Sequence, residues 1–303
     1  MQYPLISEYV KAIRNSKDNL DSLSNLEPVM DGHNEPLHSS GAFAVVFKML
    51  DKTTGEYHAL KCFTEDQKGR NESYSKISQE LEISDSSYLI NVKYYDNELF
   101  VDSICTSDTE FPVLLMDWVE GITMDAYVAM NYQDKDKINW LTYRFCNMAG
   151  WLHSQTFAHG DIKPDNIMVR PDESLTLIDY DGMYTPLMKG MESPTLGSKD
   201  LSHPLRDKHD FNETIDDFSL ASIALSLKAI SLDPDLYADY KTADGLLLSK
   251  TDYLNLGSSK MMKILCQYMD NIDFCKLYGN FLLAYTQKDL SLHSFRNFLI
   301  SKP

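Results

Sequence analysis

Between His159 and Gly182 the chain carries Asp161, Lys163 and Asn166 in an Asp-x-Lys-x-x-Asn spacing. The apolar run Ile167-Met168-Val169 follows, then a turn at Pro171-Asp172-Glu173 and a second apolar run that ends in Asp179. Two short apolar strands around a cluster of turn formers predict a small β-unit. Each residue alone says little. A single histidine such as His159 is usually a satisfied core residue, and a loop aspartate such as Asp161 or Asp179 usually belongs to a turn or a cap. The joint pattern narrows the possibilities, because it sets carboxylate, ammonium and amide groups at fixed spacing along a strand–turn–strand frame.

In this combination the segment resembles the catalytic core of a protein kinase. Phosphoryl transfer asks little covalent chemistry of a protein. It needs a carboxylate at the attacking hydroxyl, hard oxygen ligands for a metal, and cations on the transferring phosphate. The resemblance implies that Asp161 accepts the substrate proton, that Lys163 sits beside the γ-phosphate of ATP, and that Asn166 and Asp179 hold Mg2+. It also implies an α+β, two-lobed protein kinase-like fold. The N-lobe is then a five-stranded antiparallel sheet plus one helix, and the C-lobe is mainly helical. On that reading residues 1–36 form an N-terminal extension, 37–117 the N-lobe and 118–303 the C-lobe of one kinase domain.

Upstream, Ser39 to Lys48 and Tyr57 to Phe63 flank the turn formers Asp51 to Gly55 and predict a hairpin. In kinases this hairpin covers the nucleotide, and its first turn carries three glycines. Here Gly41 remains, with Ser39 and Ala44 standing where the first and third glycines would be. Lys61 resembles the strand lysine that binds the α- and β-phosphates. Tyr74, Ile77 and Leu81 recur at helical spacing through Asn71 to Glu82, and two glutamates of that helix compete as the partner of Lys61. Glu72 is favoured over Glu80, with Ser84 to Ser87 as the loop that follows. Strands Leu99 to Ile104 and Val113 to Met116 complete the sheet. Met116 to Gly121 resembles the hinge between lobes, which implies an adenine bonded to backbone groups of Asp117 and Val119 with Met116 behind it.

From Trp140 onward, Leu141, Phe145, Met148, Trp151 and Leu152 lay an apolar stripe on one helix face. Gly197 to Pro204 matches the end of an activation segment, with Leu205 in place of the glutamate of Ala-Pro-Glu. Asp216 resembles the aspartate that tethers the catalytic-loop backbone, and an N-cap role suits it equally. Residues 221–303 are helical in pattern, with breaks near Pro234 and Gly257. His-Gly-Asp replaces the commoner His-Arg-Asp, so the arginine that receives an activation-loop phosphate is absent; were a phosphate nevertheless needed there, Arg206 is the candidate to receive it. Asp181 stands where a glycine is usual; it either assists a second metal or caps a turn. The overall pattern is most similar to bacterial serine/threonine kinase-like proteins. Leu5, Ile6, Tyr9, Val10 and Ile13 give the extension an amphipathic helix packed on a lobe.

A net charge of −17, from 28 Lys and Arg against 45 Asp and Glu, repels nucleic acid and anionic lipid and favours neutral or basic substrates. The same charge also serves solubility. No apolar run approaches the roughly 20 residues that cross a bilayer, and charges interrupt Met1 to Leu20 where a secretory signal would be apolar. Five scattered cysteines read as reduced thiols. The expectation is a cytoplasmic, ATP- and Mg2+-dependent enzyme acting on Ser/Thr of a protein substrate, without nucleic acid or membrane partners and without dependence on activation-loop phosphorylation. Two other readings stay open. A small-molecule kinase of the aminoglycoside or choline kinase type shares His-Gly-Asp and Asp-Tyr-Asp, but Lys163 argues against it. A nucleotide-binding pseudokinase fits the depleted glycine loop, but Lys61, Asp161, Asn166 and Asp179 are all retained.

Overall fold

The computed structural model describes residues 2–41, 43–67, 69–84, 86–287 and 298–303. Ala42 of the glycine-poor turn and Asp85 of the expected 84–87 loop lie outside them. The chain divides into two units, Met1–Asp85 with Ile90–Val119, and Ser86–Leu89 with Glu120–Pro303.

The first unit runs α1 (Ile6–Arg14), α2 (Ser16–Asn19), β1 (Leu26–Pro28), β2 (His38–Ser40), β3 (Ala44–Asp51), β4 (Tyr57–Phe63), α3 (Arg70–Ile83), β5 (Val92–Phe100) and β6 (Glu110–Asp117). Its antiparallel sheet has the order β1-β3-β4-β6-β5, with β2 also paired to β3. The expected five strands thus become six, because two short segments share the outer edge of β3. Ser39 lies opposite Val46 and Glu27 opposite Leu50. Val45, Phe47 and Met49 alternate into the core, as a strand with one buried face requires. The strand expected over Leu99 to Ile104 instead begins at Val92 and ends at Phe100. Lys93, Asp96 and Asn97 hide its pattern, and a register shift between Tyr95 and Leu99, with Asn97 at φ 49, absorbs the irregularity.

Residues 2–36 are built into this unit. On α1, Tyr9 and Ile13 are buried while Leu5 is exposed. The Tyr9 hydroxyl donates to the Phe63 carbonyl at 2.7 Å, and its ring meets Phe111 edge-on. Ser16 donates to the Leu26 carbonyl at 2.7 Å, fixing β1. At the start of α3 the Arg70 guanidinium lies 3.8 Å from the Phe63 ring centre and donates to the Glu65 carbonyl and the Tyr3 hydroxyl.

The second unit runs β7 (Ile122–Thr123), α4 (Met124–Asn131), α5 (Lys135–His153), β8 (Ile167–Val169), β9 (Leu175–Leu177), α6 (Asp217–Leu232), α7 (Asp235–Tyr240), α8 (Lys250–Leu254), α9 (Lys260–Leu265) and α10 (Ile272–Gln287). The antiparallel sheet β7-β8-β9 sets Ile167 opposite Leu177 and Val169 opposite Leu175. Helix α6 is buried from Asp217 to Ser231, its serines and Lys228 included, and packs on α5 and α10. Helix α5 starts at Lys135, ahead of the expected Trp140, because the Asp134 carboxylate accepts the Lys137 N–H at 3.1 Å and caps it. Leu141, Phe145, Met148 and Leu152 are buried as the stripe predicts, and Trp151 is half-buried.

Replacing Tyr9 by Phe keeps the ring but leaves the buried Phe63 carbonyl without its donor, so urea unfolding should show a loss of about 1–3 kcal/mol. An unchanged midpoint would mean that this bond does not anchor α1.

Candidate active site

The loop that carries Asp161 is fixed from below by Asp216, the residue just before α6. Its carboxylate accepts the N–H of His159 at 2.5 Å and of Gly160 at 2.8 Å. It makes no capping bond to α6, so of its two expected roles it fills the tether. Burial pushes its carboxyl above the ordinary value, against His159, the two N–H bonds and Arg206, which favour the charge. The His159 Nε2–H donates to the Ile178 carbonyl at 2.9 Å, and its Nδ1 accepts the Asp161 N–H at 3.4 Å. The His159 ring meets Tyr180 at 5.5 Å, and the buried Tyr180 hydroxyl finds the Leu177 carbonyl at 3.0 Å. A tyrosine is therefore accommodated after Asp179 with its polar end satisfied.

Three donors surround Asp161. Lys163 Nζ lies 3.0 Å and Asn166 Nδ2 3.2 Å from its Oδ2, and the Ser198 N–H lies 3.2 Å from its Oδ1. Asn166 Nδ2 also donates to the Asp161 carbonyl at 2.9 Å. Asn166 ends the 3-10 turn Pro164–Asn166, and its own carbonyl accepts the Ile178 N–H at 3.0 Å, which brings it to the chain end of β9 where Asp179 stands. Asp179 takes φ 67, ψ 75, a left-handed conformation uncommon outside glycine. Burial opposes the Lys163 charge, but Asp161, Asp179 and Asp165 outweigh it and raise the ammonium above 10.5. A raised lysine stabilises the folded state below the unfolded value, so the pairing is intact at neutral pH and is lost only as pH climbs through the folded value.

The Asn166 amide nitrogen is turned to Asp161, and its Oδ1 and the Asp179 carboxylate are hard oxygen donors. Mg2+ is commonly held by one or two carboxylates together with substrate phosphates, and this donor set beside a lysine fits that demand. Asp181 lies half-buried in the 3-10 turn Tyr180–Gly182. Among the described residues no group of three or more His, Cys, Asp or Glu is assembled that could hold a metal.

Gly160 has φ +81, and a Cβ there would stand 1.8 Å from the Gly182 carbonyl oxygen. Backbone meets backbone at this point. The glycine of His-Gly-Asp is more than a lost arginine, since no side chain fits. A Cβ on Gly182 would itself stand 2.9 Å from Thr195 Cγ2 and 3.2 Å from the Gly160 carbonyl carbon.

In the first unit Lys61 lies on β4 between Val46 and Leu114, nearly buried, with its Nζ 5.9 Å from the Phe63 ring. The Gly41 N–H donates to the Ala44 carbonyl at 2.9 Å and closes the turn between β2 and β3. Ser39 is exposed, and Ala44 is buried opposite Phe63. Met116 sits on β6 opposite Ala59, and Val119 is buried. The Asp117 N–H donates to the Asn91 carbonyl at 3.3 Å, while its carboxylate accepts both Asn91 N–H and Nδ2 at 3.0 Å. Glu72 corrects the expected lysine partner. Its side chain is 69% exposed and pairs with Lys76 at 2.7 Å, one helical turn on. The buried face of α3 is Arg70, Tyr74, Ile77 and Leu81, which turns Glu72 outward. Glu80 is half-buried, and burial raises its carboxyl.

The protein kinase domain model matches residues 38–229, more than half of the chain. The chain belongs to the protein kinase family. It is similar to the probable serine/threonine protein kinase IREH1 of Arabidopsis thaliana, 24% identical over 58% of this chain and 13% of that protein. Serine/threonine-protein kinase cek1 of Schizosaccharomyces pombe is 25% identical over 64% of this chain and 14% of its own length. Serine/threonine-protein kinase DCLK2 of Mus musculus is 32% identical over 51% and 20%. The matched stretch thus spans a fifth or less of each of these relatives. All three are eukaryotic, so they do not carry the expected bacterial likeness.

Two kinase-site contacts had no sequence signal: the Ser198 N–H on Asp161 and the approach of Gly182 to Gly160 both involve main-chain atoms. Gly160→Arg, which recreates the commoner triplet, should cost at least about 2 kcal/mol from the left-handed backbone and the clash. Asp216→Asn leaves one oxygen for two N–H groups and should cost about 1–3 kcal/mol. Urea titration of both variants checks these values, and wild-type stability in either would contradict the packing described.

Proposed function

We propose that the chain transfers the γ-phosphoryl group of MgATP to serine or threonine hydroxyls of a protein substrate, without requiring a phosphorylated activation segment. The observation that carries this reading is the Asp161 carboxylate held by Lys163 at 3.0 Å and Asn166 at 3.2 Å in a member of the protein kinase family. Asp161 takes the hydroxyl proton as the hydroxyl oxygen bonds to the γ-phosphorus and the bond to the ADP oxygen breaks. Lys163 offsets the charge on the transferring group. Asn166 and Asp179 would hold Mg2+, which would supply charge neutralisation for the phosphates. Asp181, in the adjoining turn, is proposed as an auxiliary to that site.

Lys61 takes the α- and β-phosphates, and Ser39, Gly41 and Ala44 form the turn over them. Met116 and Val119 line the adenine. At Asp117 the N–H is committed to Asn91, so recognition there falls to its carbonyl. Gly160 supports independence from activation-segment phosphate, since it offers no guanidinium. Tyr184 and Thr185 of that segment are buried, and Ser193, Thr195, Ser198 and Ser202 are half-buried. Cytoplasmic placement is supported by five free cysteines, two of them buried with their thiols raised by burial. No helix among the described residues is long and apolar enough to cross a membrane.

With labelled ATP and protein acceptors, Asp161→Asn should lower kcat by about 10²–10⁴-fold while nucleotide affinity holds. Asp179→Asn should abolish Mg2+-dependent transfer, and phosphatase treatment should leave turnover unchanged. A wild-type kcat in the Asp161 variant would overturn the assignment of the base, and loss of most activity on dephosphorylation would overturn the independence from phosphate.

A further inference from the structure

Arg206, beyond the end of the activation segment, reaches back into the catalytic loop. Its Nη2 donates to the Gly160 carbonyl at 3.1 Å, to the Thr195 carbonyl at 3.3 Å and to the Ser193 hydroxyl at 3.4 Å. Its Nη1 lies 3.3 Å from the point where a Gly197 Cβ would stand, and that point is 3.2 Å from Asp161 Oδ1. One guanidinium therefore spans the loop that carries Asp161 and the stretch 193–197. The stretch is tied locally as well. Ser193 donates its N–H to the Lys208 carbonyl at 2.7 Å and its hydroxyl to the Thr195 carbonyl at 2.6 Å, and Thr195 Oγ1 accepts the Gly197 N–H at 3.0 Å.

This placement carries a cost. The Arg206 Nε is buried and finds no acceptor among the described residues, and an unsatisfied buried donor is worth about 1–3 kcal/mol against folding. Burial also lowers the basicity of the guanidinium, against the pull of Asp216, Asp161 and Asp210. A surface arginine would avoid both penalties, so stability does not explain the position. What the residue gains is geometry: its Nη2 acceptors are neutral oxygens supplied by the chain itself, and no phosphate is needed to complete them.

We infer that Arg206 is a positioning residue that joins residues 193–197 to the catalytic loop through the Gly160 and Thr195 carbonyls, so that the Ser198 N–H and Asp161 stay in register without phosphorylation. The kinetic part of this inference rests on the phosphotransfer reading above; the structural part does not. Residues 193–197 and 206 contribute no proton transfer of their own.

The test compares the full chain with Arg206→Met, which keeps the aliphatic stem and removes the donors, and Arg206→Lys, which keeps one cation. Hydrogen–deuterium exchange of the Gly160, Gly197 and Ser198 amides is read alongside kcat at saturating ATP, KM for ATP and the thermal midpoint. Arg206→Met should exchange those amides at least about tenfold faster and lower kcat by about 10–100-fold, with KM for ATP unchanged. Arg206→Lys should recover part of both losses. A merely structural role would move the thermal midpoint and KM together without the kcat split. Wild-type exchange and kcat in Arg206→Met overturn the inference; if that variant does not fold, the same readings on Arg206→Lys decide it. If the wild-type chain transfers no phosphate, the phosphotransfer reading fails, and the exchange comparison alone still supports or overturns the bridge.

Discussion

The Asp161 site depends on one buried carboxylate with two backbone bonds. Asp216 precedes α6, a helix enclosed on every side, and its oxygens hold the N–H groups of His159 and Gly160. A carboxylate suits the task because each of two diverging N–H groups receives its own oxygen. Desolvating the charge is costly, and the offsetting contributions are the two short bonds and the nearby Arg206 and His159. The loop thereby inherits the rigidity of the helical core instead of depending on its own short sequence.

Around that anchor the site is assembled largely from main-chain atoms. The Ser198 N–H meets one oxygen of Asp161, the Ile178 N–H meets the Asn166 carbonyl, and His159 reaches the Ile178 carbonyl. Such groups have no rotamers to lose, so the carboxylate and its donors are held before any substrate arrives. The side chains proposed for the chemistry, Asp161, Lys163, Asn166 and Asp179, are few, and the Asp161 carboxylate is held by the Ser198 N–H as well as by Lys163 and Asn166.

The strand pair around 171–173, the central helices and the α+β class were legible because covalent spacing and apolar period fix them. Ile167 and Leu177 face each other as the two triplets imply, and the stripe of α5 is buried where its period places it. Strand β1 was illegible. It has three residues, too short to show alternation, and it pairs with Met49–Asp51, far along the chain. The outward position of Glu72 is readable too: Tyr74, Ile77 and Leu81 define the inner face of α3, and a residue two before Tyr74 falls on the opposite side. Its pairing with Lys76 is the local interaction that an exposed first-turn acid makes. The Arg206 bridge had no signature, since a lone loop arginine bonded to carbonyls leaves no mark in residue spacing.

The stretch that defines family membership, residues 38–229, is shorter than the body that folds around it. Strand β1 covers Met49–Asp51 from outside that stretch, Tyr9 satisfies the Phe63 carbonyl from outside it, and α10 packs on α6 from beyond its other end. Cut at the family borders, the sheet would present the outer rim of β3 with open N–H and C=O groups, a template for pairing with foreign strands. Each of the two units therefore folds with residues from outside the family stretch. A gene rearrangement that carried the recognisable middle alone would deliver an aggregation-prone fragment rather than a portable module.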